Sequence, residues 1–229
     1  MRLVRSWALA SIVCFAMLGG HARAESLESV LARMDQSAAS FQGLTGKLTK
    51  VTHTAVLNSD DTERGSIKMR RSRQREMNLL IDFVEPDAKS VSYRNRKWQI
   101  YYPKIKTVQE FDLGKQSNLV DQALLLGFGM TGREIQRQYN VKYLGEEAVG
   151  SVNASKLELI PKAADARKHF TKVELWIGPA GHPLQQKVYQ PSRDFYRVTY
   201  SDVKLNPGLT EEALALNLPK DVKKEYPQR

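Results

Sequence analysis

The apolar positions of this chain follow two different periods. Leu27, Val30, Leu31, Met34, Ala38 and Phe41 recur at i, i+3, i+4, i+7, i+11 and i+14. That spacing predicts one face of a helix of about 16 residues. Glu25 and Glu28 stand in its first turn, where the positive end of the helix dipole favours carboxylates, and Gly43 and Gly46 mark its end. From Leu44 onward the period shortens. The runs 44–56, 65–71, 76–84, 89–93, 98–102 and 107–113 are rich in β-branched and aromatic residues. Turn-forming clusters separate them: Asn58-Ser59-Asp60-Asp61, Glu85-Pro86-Asp87, Arg94-Asn95-Arg96 and Pro103-Lys104. Spacers this short leave room only for hairpins, so the predicted sheet is antiparallel.

A helical interruption follows. Ser117 can cap a helix over 118–126, with Leu119, Ala123 and Leu126 on one stripe and Val120 and Leu124 beside it. Gly127-Phe128-Gly129 ends that helix. Thr131 with Glu134 forms a capping box that predicts a second short helix over 132–138. Strands then resume at 141–144, 151–160, 170–177, 184–190 and 196–205, with one last strand-like run at 214–218. The chain has no internal repeat and no linker. The pattern therefore predicts one mainly β domain of the α+β kind. Its parts are an N-terminal helix, a large curved antiparallel sheet of about eleven strands, and a helical insertion near the middle.

The first 24 residues change this picture. Arg2 and Arg5 make a positive start, 7–20 is an apolar stretch, and Ala22-Arg23-Ala24 has the small-x-small pattern that a signal peptidase cuts. The stretch is too short to span a membrane as a helix. Cys14 raises the alternative of a lipidated leader, but Ser11-Ile12-Val13 before it makes a poor lipidation motif. The expectation is an exported protein, cleaved after Ala24, whose single domain is 25–229. Removing the 24-residue leader, with its three arginines and no acid, leaves 205 residues and takes the formal charge from +10 to +7. The only cysteine leaves with it, so neither a disulfide nor a cysteine-ligated metal is expected in the exported chain.

Composition adds little: 41% hydrophobic and 26% charged residues are ordinary for a globular domain and exclude a disordered or coiled-coil chain. The candidate chemistry is thin. Gly127, Gly129 and Gly132 spell a GxGxxG pattern, but the segment before them has helical spacing and no strand–helix alternation surrounds it, as a dinucleotide site requires. His53, His169 and His182 are scattered and lack metal-ligand spacing. The acidic pairs Asp60-Asp61, Glu146-Glu147 and Glu211-Glu212 sit in turns or at helix starts. No nucleophile elbow exists. An enzyme is therefore not expected, nor a cofactor, a metal site or a nucleic-acid partner.

Two features point to lipid instead. Lys68, Arg70, Arg71, Arg73 and Arg75 crowd one strand end, and Arg71, Arg73 and Arg75 alternate onto one face. That ladder is either a solvated sheet face or an anion site. The second feature is apolar. The sheet offers Leu79, Ile81, Phe83, Trp98 and Ile100, with Met77, Val108 and Phe111 beside them. The helices offer Leu31 and Met34 from the first stripe and Leu119, Ala123, Leu124 and Leu126 from the insertion. A curved sheet under two helices encloses an apolar space, which is a core if side chains fill it and an acyl-chain cavity if they do not.

Three segments resemble the LolA family of periplasmic lipoprotein carriers. Glu85-Pro86-Asp87 followed by a hairpin, Trp98 and Tyr102-Pro103 is similar to the family's QPD…DG…WxYxP pattern. Leu159-Ile160-Pro161-Lys162-Ala163 with Lys168-His169-Phe170-Thr171 is similar to its TPKA…KQFT segment, and Leu218-Pro219-Lys220 with Val222 to its closing PPxGV. The resemblance implies an unclosed β-barrel lidded by helices, acting as a monomer. Its cavity would take the acyl chains of lipoproteins from an ATP-driven inner-membrane complex and pass them to an outer-membrane acceptor. It also implies an arginine at the cavity edge that holds the lid closed. Arg71 is the first candidate, with Arg73 and Arg75 as alternatives; Ser72 stands where the family has a proline. The same fold could serve instead as a lipid-binding or lipoprotein-sensing regulatory module that moves no cargo.

Overall fold

A computed structural model describes residues 25–72, 77–95, 97–112 and 126–227. The leader, the predicted helix up to residue 125, Arg73 and Arg75 lie outside the described residues, and with them Leu119, Ala123 and Leu124. The first helix, α1 (Leu27–Ser40), begins where its sequence signals place it. Ser26 has extended backbone and its hydroxyl accepts the Ser29 amide at 3.2 Å, while the Ser29 hydroxyl accepts the Ser26 amide at 3.1 Å. This reciprocal box satisfies two of the orphan donors of the first turn. Val30, Leu31, Met34 and Ala38 form its buried stripe; Phe41 is extended and caps the helix.

Twelve strands follow among the described residues: β1 (Gly43–Thr54), β2 (Ser59–Arg71), β3 (Met77–Glu85), β4 (Lys89–Arg94), β5 (Lys97–Tyr102), β6 (Thr107–Asp112), β7 (Tyr139–Val149), β8 (Val152–Pro161), β9 (Lys172–Ile177), β10 (Pro183–Tyr189), β11 (Phe195–Leu205) and β12 (Lys223–Glu225). They form one sheet in the order β12-β6-β5-β4-β3-β2-β1-β11-β10-β9-β8-β7, antiparallel throughout except where β12 runs parallel to β6. Between β6 and β7 lies α2 (Gly132–Gln138), with the predicted Thr131–Glu134 box in place: the Thr131 hydroxyl accepts the Glu134 amide at 3.2 Å, and Glu134 accepts the Thr131 amide at 2.8 Å. That amide, with the Thr131 hydroxyl and against the smaller effect of burial, holds the Glu134 carboxyl below its usual range. A third helical turn, α3 (Ala164–Arg167), follows β8.

Some boundaries depart from the sequence pattern. β2 starts at Ser59, six residues before its apolar run. Its polar half is held by pairing rather than burial: Glu63 lies opposite Lys50, joined by an ion pair, and Asp60 opposite His53, joined by a hydrogen bond. β7 runs to Val149 and carries a bulge at Gly145, whose φ of +101° suits glycine. The tail differs in kind. The run 214–218 is no strand: Leu214 closes a 3₁₀ turn (Glu212–Leu214) and is fully buried. A single anchoring side chain fixes this stretch, and no strand pairing is needed. The last strand is instead β12, whose Lys223 amide donates to the Lys106 carbonyl at 2.9 Å.

The apolar residues sort into two clusters. The first lies under α1 and α2, against β8, β9 and β10: Leu31, Met34 and Leu126 pack with Leu157, Leu175 and Ile177. Asp35 accepts the Gly132 amide at 2.6 Å and ties the two helices together. The second cluster spans β1 to β4 and β11, and includes Leu79, Phe83, Tyr93, Phe128 and Tyr200.

Candidate functional site

The second cluster does not close on itself. It surrounds a cavity of about 600 Å³, within the range of small-molecule sites. It is half open to the outside, so it is a space that solvent or a ligand can enter and no internal void.

Strand alternation builds its wall. On β3, Leu79, Ile81 and Phe83 share a face because side chains two apart point the same way. Trp98 and Ile100 continue it on β5. These five candidates from the sequence are brought together on one cavity wall. Leu31, Met34 and Leu126 belong elsewhere: they fill the first cluster. The amphipathic stripe of α1 finds its partner in the β8–β10 half of the sheet and is used up there.

Several lining residues escaped the sequence reading. Tyr196, Val198 and Tyr200 face the cavity from β11, and their strict alternation was a readable signal. Leu48 on β1 and Ile67 and Met69 on β2 were harder to find, because lysines, threonines and arginines interleave with them without a clean period. The wall holds few polar groups. Gln186 donates to the Tyr200 hydroxyl at 2.7 Å, and burial pushes the Tyr200 phenol upward. Burial also pushes the Tyr196 phenol up to about 12. Both rings stay neutral across the physiological range. Among the described residues no group of histidine, cysteine and acidic side chains is placed to hold a metal.

Beyond the lining residue Tyr200 stand two further aromatic rings. Phe128 meets Tyr200 edge-on at 5.2 Å, and Phe41 lies 6.1 Å from Phe128. Over this pair sits Arg71, at the end of β2. Its guanidinium donates to the Gly129 carbonyl at 2.5 Å and lies 5.7 Å from the centre of the Phe41 ring. Gly129 has φ +73°, and a Cβ there would collide with the Arg71 guanidinium. The Gly127–Gly129 break thus presents a carbonyl to an arginine 58 residues earlier in the chain.

No family model and no curated protein matches the chain. Solved structures do. An uncharacterized conserved protein from Thermus thermophilus superimposes with a TM-score of 0.54 at 13% identity, covering 88% of this chain and 99% of that one. MucB superimposes with a TM-score of 0.51 at 14% identity, covering 82% of this chain; the chain spans 62% of MucB's length. A LolA superfamily protein from Nitrosomonas europaea is also similar, at 14% identity and a TM-score of 0.40, covering 84% of this chain and 99% of that one. The first two share this fold: mainly β, with the described residues forming one unclosed twelve-stranded sheet and few helices.

Proposed function

We propose that this chain is an exported carrier whose cavity holds the acyl chains of lipoproteins and shuttles them through the periplasm, from an inner-membrane release complex to an outer-membrane acceptor. The observation that carries the reading is the 600 Å³ apolar cavity, left open in a domain whose other half is filled. Binding suits a wall that is mostly apolar.

Release is the harder half of the task. Each buried methylene contributes about 0.8 kcal/mol, so one 16-carbon chain contributes on the order of 10 kcal/mol. A carrier without ATP of its own needs a competing state that closes the cavity. The Arg71–Gly129 contact is suited to hold that state, since a hydrogen bond from a charged group is worth about 1.5–3 kcal/mol. Arg73 and Arg75 are the alternatives to Arg71 in this role.

Two measurements test this. Mass spectrometry of protein purified from its own periplasm should find acylated cargo bound. Arg71→Leu should fold and load normally yet fail to hand cargo to the outer membrane, so that loaded protein accumulates. Protein that co-purifies with an intact partner protein and without any acyl chain would instead favour a sensing module on the same fold.

A further inference from the structure

Two lysines interrupt the apolar wall of the cavity. Lys50 on β1 and Lys89 on β4 both line it, on opposite sides of Glu63 of β2. Glu63 joins them, one oxygen to each: Lys50 Nζ lies 3.1 Å from Oε2, and Lys89 bonds Oε1. Lys89 also stands 5.1 Å from the centre of the Phe83 ring, which is part of the wall. The strand register sets this arrangement, since Lys50 pairs with Glu63 across β1–β2 and Phe83 with Lys89 across β3–β4. The three side chains are 32%, 27% and 17% exposed, in the order Lys50, Lys89, Glu63.

The charge count is uneven. Two ammonium groups against one carboxylate leave one positive charge on the wall. Each lysine offers three donors, and the carboxylate takes one from each. When acyl chains fill the cavity they expel the water that solvates this charge, and a buried charge without a partner is costly. A neutral amphiphile leaves the charge uncompensated; a singly charged anion balances it. We propose that Lys50, Glu63 and Lys89 form an anion-reading end of the cavity that selects amphiphiles carrying one negative charge, such as a phosphodiester, next to their acyl chains. Glu63 is the resident counter-ion: burial would raise its carboxyl, but the hydrogen bonds from Lys89 and Lys50 outweigh burial and keep it ionised. The inference rests on the acyl-binding cavity of the reading above and extends its cargo from lipoprotein acyl anchors, which carry no phosphate, to anionic lipids.

The test compares lipids that share acyl chains and differ in charge. The purified protein is incubated with vesicles of dioleoyl phosphatidylglycerol or dioleoyl phosphatidylcholine, separated by gel filtration, and its bound lipid counted by mass spectrometry. Uptake of phosphatidylglycerol should exceed that of phosphatidylcholine about tenfold: both carry the phosphodiester, but the choline cation of phosphatidylcholine cancels its charge and leaves the lysine charge uncompensated. Replacing both lysines (Lys50→Met with Lys89→Met) should erase the preference and leave phosphatidylcholine uptake in place. Glu63→Gln, which frees both lysines, should shift the preference toward doubly charged phosphatidic acid. Equal uptake of the two lipids, or a preference that survives the double replacement, overturns the headgroup inference and leaves the acyl-chain reading standing. Uptake of neither lipid overturns the acyl-chain reading itself. Inorganic phosphate that binds as tightly as the lipid, with the same dependence on the lysines, shows a free-anion site and overturns the inference too.

Discussion

The two halves of the sheet are made of the same residue types and end in opposite states. Under α1 and α2, Leu157, Leu159, Leu175 and Ile177 are wholly inaccessible and the space is filled. Across β1 to β6 and β11, leucines, isoleucines and aromatics of similar number leave room for a ligand. The difference lies in what sits opposite the sheet. In the filled half a capped helix places Val30, Leu31, Met34 and Ala38 against the strands. In the open half the described lining residues all belong to strands of the same sheet. Apolar side chains make a core when a second layer reaches them.

The largest expected effect separates the halves directly. Leu175→Ala in the filled half should cost about 3 kcal/mol by denaturant unfolding, in the range for buried leucines. Ile100→Ala in the open half should cost about 1 kcal/mol or less, because the side chain is already half-exposed, yet it should weaken acyl-ligand binding. Equal losses of stability would erase the distinction. A smaller effect sharpens it: Thr131→Ala removes the cap of α2 and should cost about 1 kcal/mol while leaving ligand affinity unchanged.

The smallest effect is set by pH. Glu174, on β9, is 9% exposed; burial would raise its carboxyl, but hydrogen bonds from Lys172 and Tyr189 outweigh burial and hold it below the usual 4.5. A carboxyl lowered on folding contributes stability above its ordinary value and loses that contribution as pH falls through the folded one. Unfolding free energy should therefore fall as the solution is acidified below pH 4.5, and Glu174→Gln should flatten that part of the curve. A variant curve as steep as the original would assign the acid sensitivity to other carboxylates.

What could be read in advance follows from these energetics. Helix α1 was legible from its apolar periodicity and α2 from the Thr131–Glu134 capping box. Most strands were legible from turn residues. The polar start of β2 was not, since Asp60 and Glu63 are held by cross-strand charges that no hydrophobic pattern reveals. Nor was the tail, where one buried leucine imitates the start of a strand. Cavity and core could not be told apart in sequence. Leu31 and Leu79 are equally apolar, and only the position of the neighbouring layer assigns one to filling and the other to lining. No sequence signal singled out Lys50 and Lys89; the strand register alone sets both beside one glutamate.

An unclosed sheet has two ends, and each could recruit another molecule edge to edge into a growing ribbon. At one end the three residues of β12 lie along β6 in parallel and occupy part of its hydrogen-bonding row. At the other, β7 is kinked at Gly145 and flanks the kink with Lys142, Glu146 and Glu147. A bent, charged border pairs poorly with a copy of itself. Among the described residues, both margins of the sheet are thus poorly suited to pairing with another copy edge to edge.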